Sequence, residues 1–288
     1  MPAAELIPFA DTAPQKPLSI APIWHTLLLV FAILGFSAWG TMRSEANGSE
    51  PMTTLSGSRL THYALSAALE LAIVAWVAIG LRIRKVSFRS LLGNLPNGLN
   101  DITKEVAIAA VFWIVSMAAL GSLAATWSIV QNTIYKHHQS SQSTPQTKKE
   151  ESPRQQQIEM AKKLMTLAPA NGTEIAAWAA LCLIVGFSEE FVFRGYLQSQ
   201  GIALLGSVPI SVLLSSLVFG AAHGYQGVRG IFLIGAYGAF FSIITLMRRN
   251  LLPGMLAHAW HDFATGIALA LIRESHMLDK LDKLPISS

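Results

Sequence analysis

Apolar residues in this chain come in long runs separated by short polar stretches, a rhythm set by the thickness of a bilayer rather than by the one-sided stripe of a soluble helix. The first run covers residues 22–40, about nineteen positions, enough to span at 1.5 Å per residue. A second covers 60–83, interrupted only by Glu70, and a third covers 106–130 behind an Asp101 to Glu105 stretch suited to a helix start. Later comes a long helix over 174–200 with Thr173 as its N-cap, then runs at 207–223, 228–247 and 251–272. The pattern predicts an all-α fold, a polytopic transmembrane helical bundle of about seven spans, six to eight allowing for the ends.

The polar stretches complete the plan. Residues 1–21 read as a flexible tail, and because they are long and lack a basic cluster, the first span is an uncleaved helix rather than a removed signal. Residues 41–59 read as a Ser, Thr, Gly and Pro loop, and 131–153, rich in Gln, Ser and Lys, as disordered. His137 and His138 fall in that mobile stretch and do not make a metal pair there. Ile158, Ala161, Leu164, Met165 and Ala168 recur at helical spacing, with Lys162 and Lys163 on another face, predicting an amphipathic helix on the membrane surface that ends by Pro169 and Gly172. The expected organisation is therefore a tail (1–21), N-terminal spans (22–130), a polar loop with its interfacial helix (131–172), a chemical core (173–272) and a C-terminal tail (273–288).

Composition agrees. Of 288 residues, 52% are hydrophobic and 13% charged, as in a multi-pass integral protein, here expected in the cell membrane. The lone cysteine, Cys182, lies in an apolar run, so neither an internal disulfide nor a thiolate zinc cluster is available. A net charge of +4 does not imply nucleic acid, because most Lys and Arg flank apolar runs, where lipids are the natural partner. Arg82, Arg84, Lys85 and Arg89 share one side with Arg248 and Arg249 if the span count holds, which places the N-terminus inside. Lys162 and Lys163 fall on the other side, in a long loop that weighs less.

Candidate chemistry sits in the second half. The stretch 186–195, Gly-Phe-Ser-Glu-Glu-Phe-Val-Phe-Arg-Gly, puts three charges into sequence otherwise fit for lipid. One ionised side chain at the bilayer centre costs at least about 2.5–3.5 kcal/mol, so such residues face a protein interior and carry function. Glu190 and Arg194 are four apart with the acid first, the favourable order for a same-face ion pair. Glu189 lies roughly 100° around the helix, out of easy reach of Arg194. It is left as the carboxylate available for general-base work. Phe219 and His223 close another run, and the last run carries His258-Ala-Trp-His-Asp262, with His258 and Asp262 on one face. Each motif has a plain packing reading by itself. Three spans contributing ionisable groups to one interior make that reading the weaker one, and a carboxylate with imidazoles is a toolkit for hydrolysing an acyl bond. His261 stays outside the set.

In this order, Glu189-Glu190-x-x-x-Arg194, Phe219-x-x-x-His223 and His258-x-x-x-Asp262, the sequence resembles the CPBP family of intramembrane proteases, also called the CAAX protease or Abi family. The resemblance covers roughly residues 173–272. It implies an endopeptidase acting on a peptide or protein, with or without a lipid modification, in which Glu189 activates water with help from His223. His258 and Asp262 would stabilise the oxyanion, while Glu190 and Arg194 hold the geometry. It leaves zinc and metal-independent mechanisms equally open. Asp262 stands where the pattern also takes Asn, and an ionised Asp only accepts hydrogen bonds. It must then be protonated, orient His258 or bind a metal. Straight helices over 174–200 and 207–223 put Glu189 and His223 at unequal depths, about 16 and 24 Å from their shared turn, so an offset between them is expected. The rivals are a proton- or ion-coupled transporter, against which no repeat relates the two halves, and an idle scaffold or immunity protein keeping the motifs for packing.

Overall fold

The computed structural model describes residues 19–46, 58–141 and 152–277. Most of the proposed N-terminal tail, most of the loop at 41–59, the centre of the loop at 131–153 and most of the C-terminal tail lie outside the described residues. Within them the chain is helical: α1 (Ile23–Ala46), α2 (Arg59–Ile83), α3 (Phe88–Leu92), α4 (Leu99–Ser141), α5 (Pro153–Met165), α6 (Gly172–Glu189), α7 (Gln198–Leu205), α8 (Val208–Ala222), α9 (Gly227–Arg248) and α10 (Leu252–Glu274). A π-helical stretch, Glu190–Leu197, joins α6 to α7 in one 34-residue rod from Gly172 to Leu205. No strand forms among the described residues; an isolated bridge pairs Gly93 with Asn250. Six helices are long and apolar enough to cross a membrane, and α8 is a shorter apolar helix.

Burial runs opposite to that of a soluble bundle. Phe31, Val111, Ile129 and Met247 are exposed, whereas Glu190, Arg194, Ser188 and His258 are buried. Apolar atoms meet lipid here, and the charges sit inside.

Several expected boundaries move, each for a local reason. Helix α4 runs on to Ser141, so residues 131–141 are ordered helix rather than a disordered loop, and His137 and His138 ride on it. That stretch is polar, but it contains no glycine or proline to stop a helix already nucleated upstream. The N-cap of α6 is Asn171, not Thr173: its side chain accepts from Glu174 N at 3.0 Å, and Glu174 Oε2 accepts from Ala170 N at 2.8 Å. Downstream the rod passes Gln200 and stops at Gly206, whose positive φ of 65° closes the helix. Gly201 does not break it; a side chain there would meet Ser211 Oγ at 3.0 Å, so its bareness lets α8 pack close.

Around this rod, α2 and α10 pack on α6, α8 on α7 and α9, and α4 against α9 and α10. Gly186 makes the α6–α10 contact close, since a Cβ there would fall 2.8 Å from Met255 O. The start of α1 is tied to the rod by Gln200, which receives Ile20 N at 2.8 Å and donates to Ala21 O at 2.9 Å. Buried His25 bonds Tyr196 Oη at 3.1 Å and Trp76 O at 2.9 Å. The two basic loops meet: Asn94 N donates to Arg249 O at 2.8 Å and Leu251 N to Leu92 O at 3.1 Å, with Arg248 paired to Glu105. Helix α5 packs on α10 and α4 rather than standing apart, and Arg273 of α10 fixes the turn after it through Ala168 O at 2.7 Å and Pro169 O at 2.8 Å.

Candidate active site

Depth comes first. Helix α8 has 15 residues, roughly 22 Å at 1.5 Å per residue, short of a hydrocarbon core of about 30 Å. Its C-terminal end is capped by His223, which lines the same cavity as Glu189. The rod runs on to Leu205 rather than ending at Gln200, so Glu189 lies 16 residues before its end and His223 15 after the start of α8, which shrinks the expected offset. Ser215 Oγ donating to Phe193 O at 2.7 Å still leaves one: His223 is eight residues beyond that contact and Glu189 only four, about one helical turn apart in depth.

The rod supplies the carboxylates and the guanidinium. Glu190 Oε1 receives Arg194 Nη1 at 2.9 Å and faces His258 Nδ1 at 2.9 Å, all three side chains being almost fully buried. The rest of the Arg194 guanidinium meets aromatic faces, its carbon 4.2 Å from the Phe219 ring centre and 5.2 Å from that of Phe241. Gly238 and Gly254 make room for this pair, since Cβ atoms there would come 3.1 Å from Arg194 Nη2 and 3.2 Å from Glu190 Oε2.

Glu189 is not left without company. Its Oε2 lies 3.4 Å from His258 Nε2, on the ring edge opposite Glu190. Asp262 Oδ2, one turn along α10, lies 3.7 Å from the same nitrogen. His258 thus has carboxylates on both sides, and in its doubly protonated form it donates toward both. The Phe241 ring stacks against it, centroids 5.2 Å apart.

His223 is linked to the Glu189 cluster through Phe219, whose ring packs 5.1 Å from the His223 imidazole and 6.1 Å from that of His258. His223 Nδ1 bonds Phe219 O at 2.9 Å. A carbonyl only accepts, so Nδ1 carries the proton and Nε2 of the neutral ring is an acceptor. The His261 ring packs 5.0 Å from that of Tyr237.

Glu189 and His223 both open onto a cavity of about 450 Å³. Its walls are mostly apolar, from Leu29, Ile33 and Phe36 of α1, Ile73 of α2 and Val192 and Phe193 of the rod, with Met160, Lys163 and Leu164 of α5 along one edge. Glu70 of α2 also lines it, and Ser188 Oγ donates to Glu70 Oε2 at 2.6 Å. Sequence reasoning noted Glu70 without assigning it; its signal was a lone acid in an apolar span. Tyr225, beside His223, gave no signal.

Among the described residues no three His, Cys, Asp or Glu side chains form a set that could hold a metal ion. His258 has both nitrogens turned to carboxylates, and His223 Nδ1 is taken by Phe219 O. In chemical terms the arrangement places a carboxylate, an acceptor imidazole and a second, carboxylate-flanked imidazole around a dry-walled cavity. Such a set can take a proton from water and bind the negative charge that develops on an acyl oxygen.

No curated protein and no solved structure matches the chain. Residues 171–264, which contain Glu189, Glu190, Arg194, His223, His258 and Asp262, match the family model described as Type II CAAX prenyl endopeptidase Rce1-like. With six apolar helices long enough to span, the chain is an integral membrane protein. The segment that builds the site is thus similar to the CAAX-protease (CPBP) family, the one the order of its motifs resembles.

Proposed function

We propose that the chain is an intramembrane endopeptidase whose catalytic core, residues 173–272, hydrolyses a peptide bond brought into the apolar cavity. Glu189 takes a proton from water, with His223 Nε2 as a second acceptor that orients the same water. The hydroxide adds to the peptide carbonyl, and His258 stabilises the resulting oxyanion through Nε2. Glu190 and Arg194 act on His258 from behind, fixing its ring through Nδ1. Asp262 Oδ2, 3.7 Å from Nε2 and beyond hydrogen-bond distance, supports charge on His258 through space instead of donating to the oxyanion. The reading rests above all on one observation: Glu189, Glu190 and Asp262, from two helices, flank the single imidazole of His258.

The apolar walls of the cavity support a substrate with a large apolar or lipid group beside the scissile bond, as in C-terminal processing of a lipid-modified protein. Cleavage of prenylated and unmodified forms of one peptide by purified wild-type protein and Glu189→Gln, each with and without a chelator, tests the reading. Loss of cleavage in the variant is expected. Chelator sensitivity separates a metal-dependent from a metal-independent mechanism, and the prenylated-to-unmodified ratio tests the lipid preference. Cleavage surviving in Glu189→Gln removes the proposed base.

A further inference from the structure

Peptide hydrolysis needs two proton transfers, one from the attacking water and one to the leaving nitrogen. The residues assigned so far account for the first.

Helix α2 carries a single acid, Glu70, in 25 residues. It is half-buried, its Oε2 occupied by the Ser188 hydroxyl at 2.6 Å, and Ser188, fully buried, immediately precedes Glu189. Glu70, Glu189 and His223 line the same cavity, where the other walls of α1, α2 and the rod are apolar apart from Ser66. Two carboxyl groups facing one mostly apolar cavity do not both carry charge cheaply, which favours a proton shared between them. With Oε2 engaged by Ser188, Oε1 is the oxygen of Glu70 that can carry it.

Building on the proposed endopeptidase reading, we infer that Glu70 is a further catalytic residue, the acid that protonates the leaving amine. The proton count closes. Glu189 takes a proton from water as the hydroxide oxygen bonds to the carbonyl carbon and the C=O π pair moves onto oxygen. Collapse re-forms that π bond, the C–N bond breaks with its pair going to nitrogen, and the Glu70 carboxyl proton goes to the same nitrogen. The carboxylic acid and amine products leave, and the proton on Glu189 returns to Glu70 across the shared cavity. Water is the only co-reactant.

The test compares a peptide substrate with a depsipeptide in which the scissile nitrogen is replaced by a phenolic oxygen, a leaving group that departs without a proton. Glu70→Gln keeps the size of the side chain and still accepts from Ser188. It is expected to lower peptide kcat by about 10²–10⁴-fold while changing depsipeptide kcat by less than about tenfold. Glu70→Asp keeps an acid and serves if the Gln variant fails to fold; it is expected to hold the wild-type amide-to-ester ratio within about tenfold. Equal losses on both substrates make Glu70 only a support for Ser188 and Glu189 and overturn the inference, as does full activity of Glu70→Gln on the peptide. Wild-type protein that cleaves neither substrate overturns the endopeptidase reading itself and the inference with it.

Discussion

Glu190 and His258 meet through Oε1 and Nδ1 at 2.9 Å, although 68 positions separate them in the chain. That contact joins the rod to α10 inside the bundle, and it shares its oxygen with Arg194. Removing one partner leaves buried charge uncompensated, a loss of about 3–5 kcal/mol. Arg194→Ala is therefore expected to lower the melting temperature of the detergent-solubilised protein sharply. The double variant Glu190→Gln/Arg194→Met, which removes both charges, should recover part of that loss.

Proximity to His258 sets the expectation for Asp262. Asp262→Ala deletes an acceptor near Nε2 and should reduce kcat/KM by about 10–100-fold. Asp262→Asn loses the negative charge but gains an amide that can donate to the oxyanion directly. Its kcat/KM is expected to stay within about tenfold of wild type. Steady-state kinetics on the same peptide distinguishes the two.

Gly238 backs the Arg194 guanidinium. A methyl group there would lie 2.9 Å from Phe219 Cδ1 and 3.1 Å from Arg194 Nη2, in a core with no slack. Gly238→Ala should destabilise by about 1–3 kcal/mol and depress kcat more than KM, since the ring under strain also packs against both imidazoles. Thermal unfolding together with a kcat-against-KM comparison checks both halves of this expectation.

His223 offers a further expected outcome. With Nδ1 committed to Phe219 O, only Nε2 faces outward, so His223→Asn, whose polar head does not reach as far, should lower kcat by about 10²-fold while the melting temperature changes little.

Much of this architecture was legible in the chain. Charges inside lipid-length runs demand an interior, so Glu189, Glu190, Arg194, His258 and Asp262 announced themselves, and the fold brings all five within one cluster. The order of the motifs pointed to the family found over residues 171–264. What the sequence did not yield depended on contacts between distant segments. Gly201 looked like a place for a helix to end, yet it is bare because Ser211 packs on it, and ending the helix there overstates the difference in depth between Glu189 and His223. The polar residues 131–141 lack the hydropathy of a span but keep the propensity to continue a helix, which carries α4 on to Ser141. Glu70 could not be tied to Ser188 from either local sequence, since their partnership spans 118 positions.

The π-helical stretch Glu190–Leu197 lets the rod absorb a small change in chain length. Its i to i+5 bonding winds fewer degrees per residue than an ordinary helix, so eight such residues turn through about as much as seven α-helical ones. Deleting one residue there would let the backbone tighten into regular α-helix with Tyr196 and Gln200, which grip the first span, still nearly in phase with Glu190, which grips the last. A second deletion would find no slack left and would swing the two grips apart by about 100°.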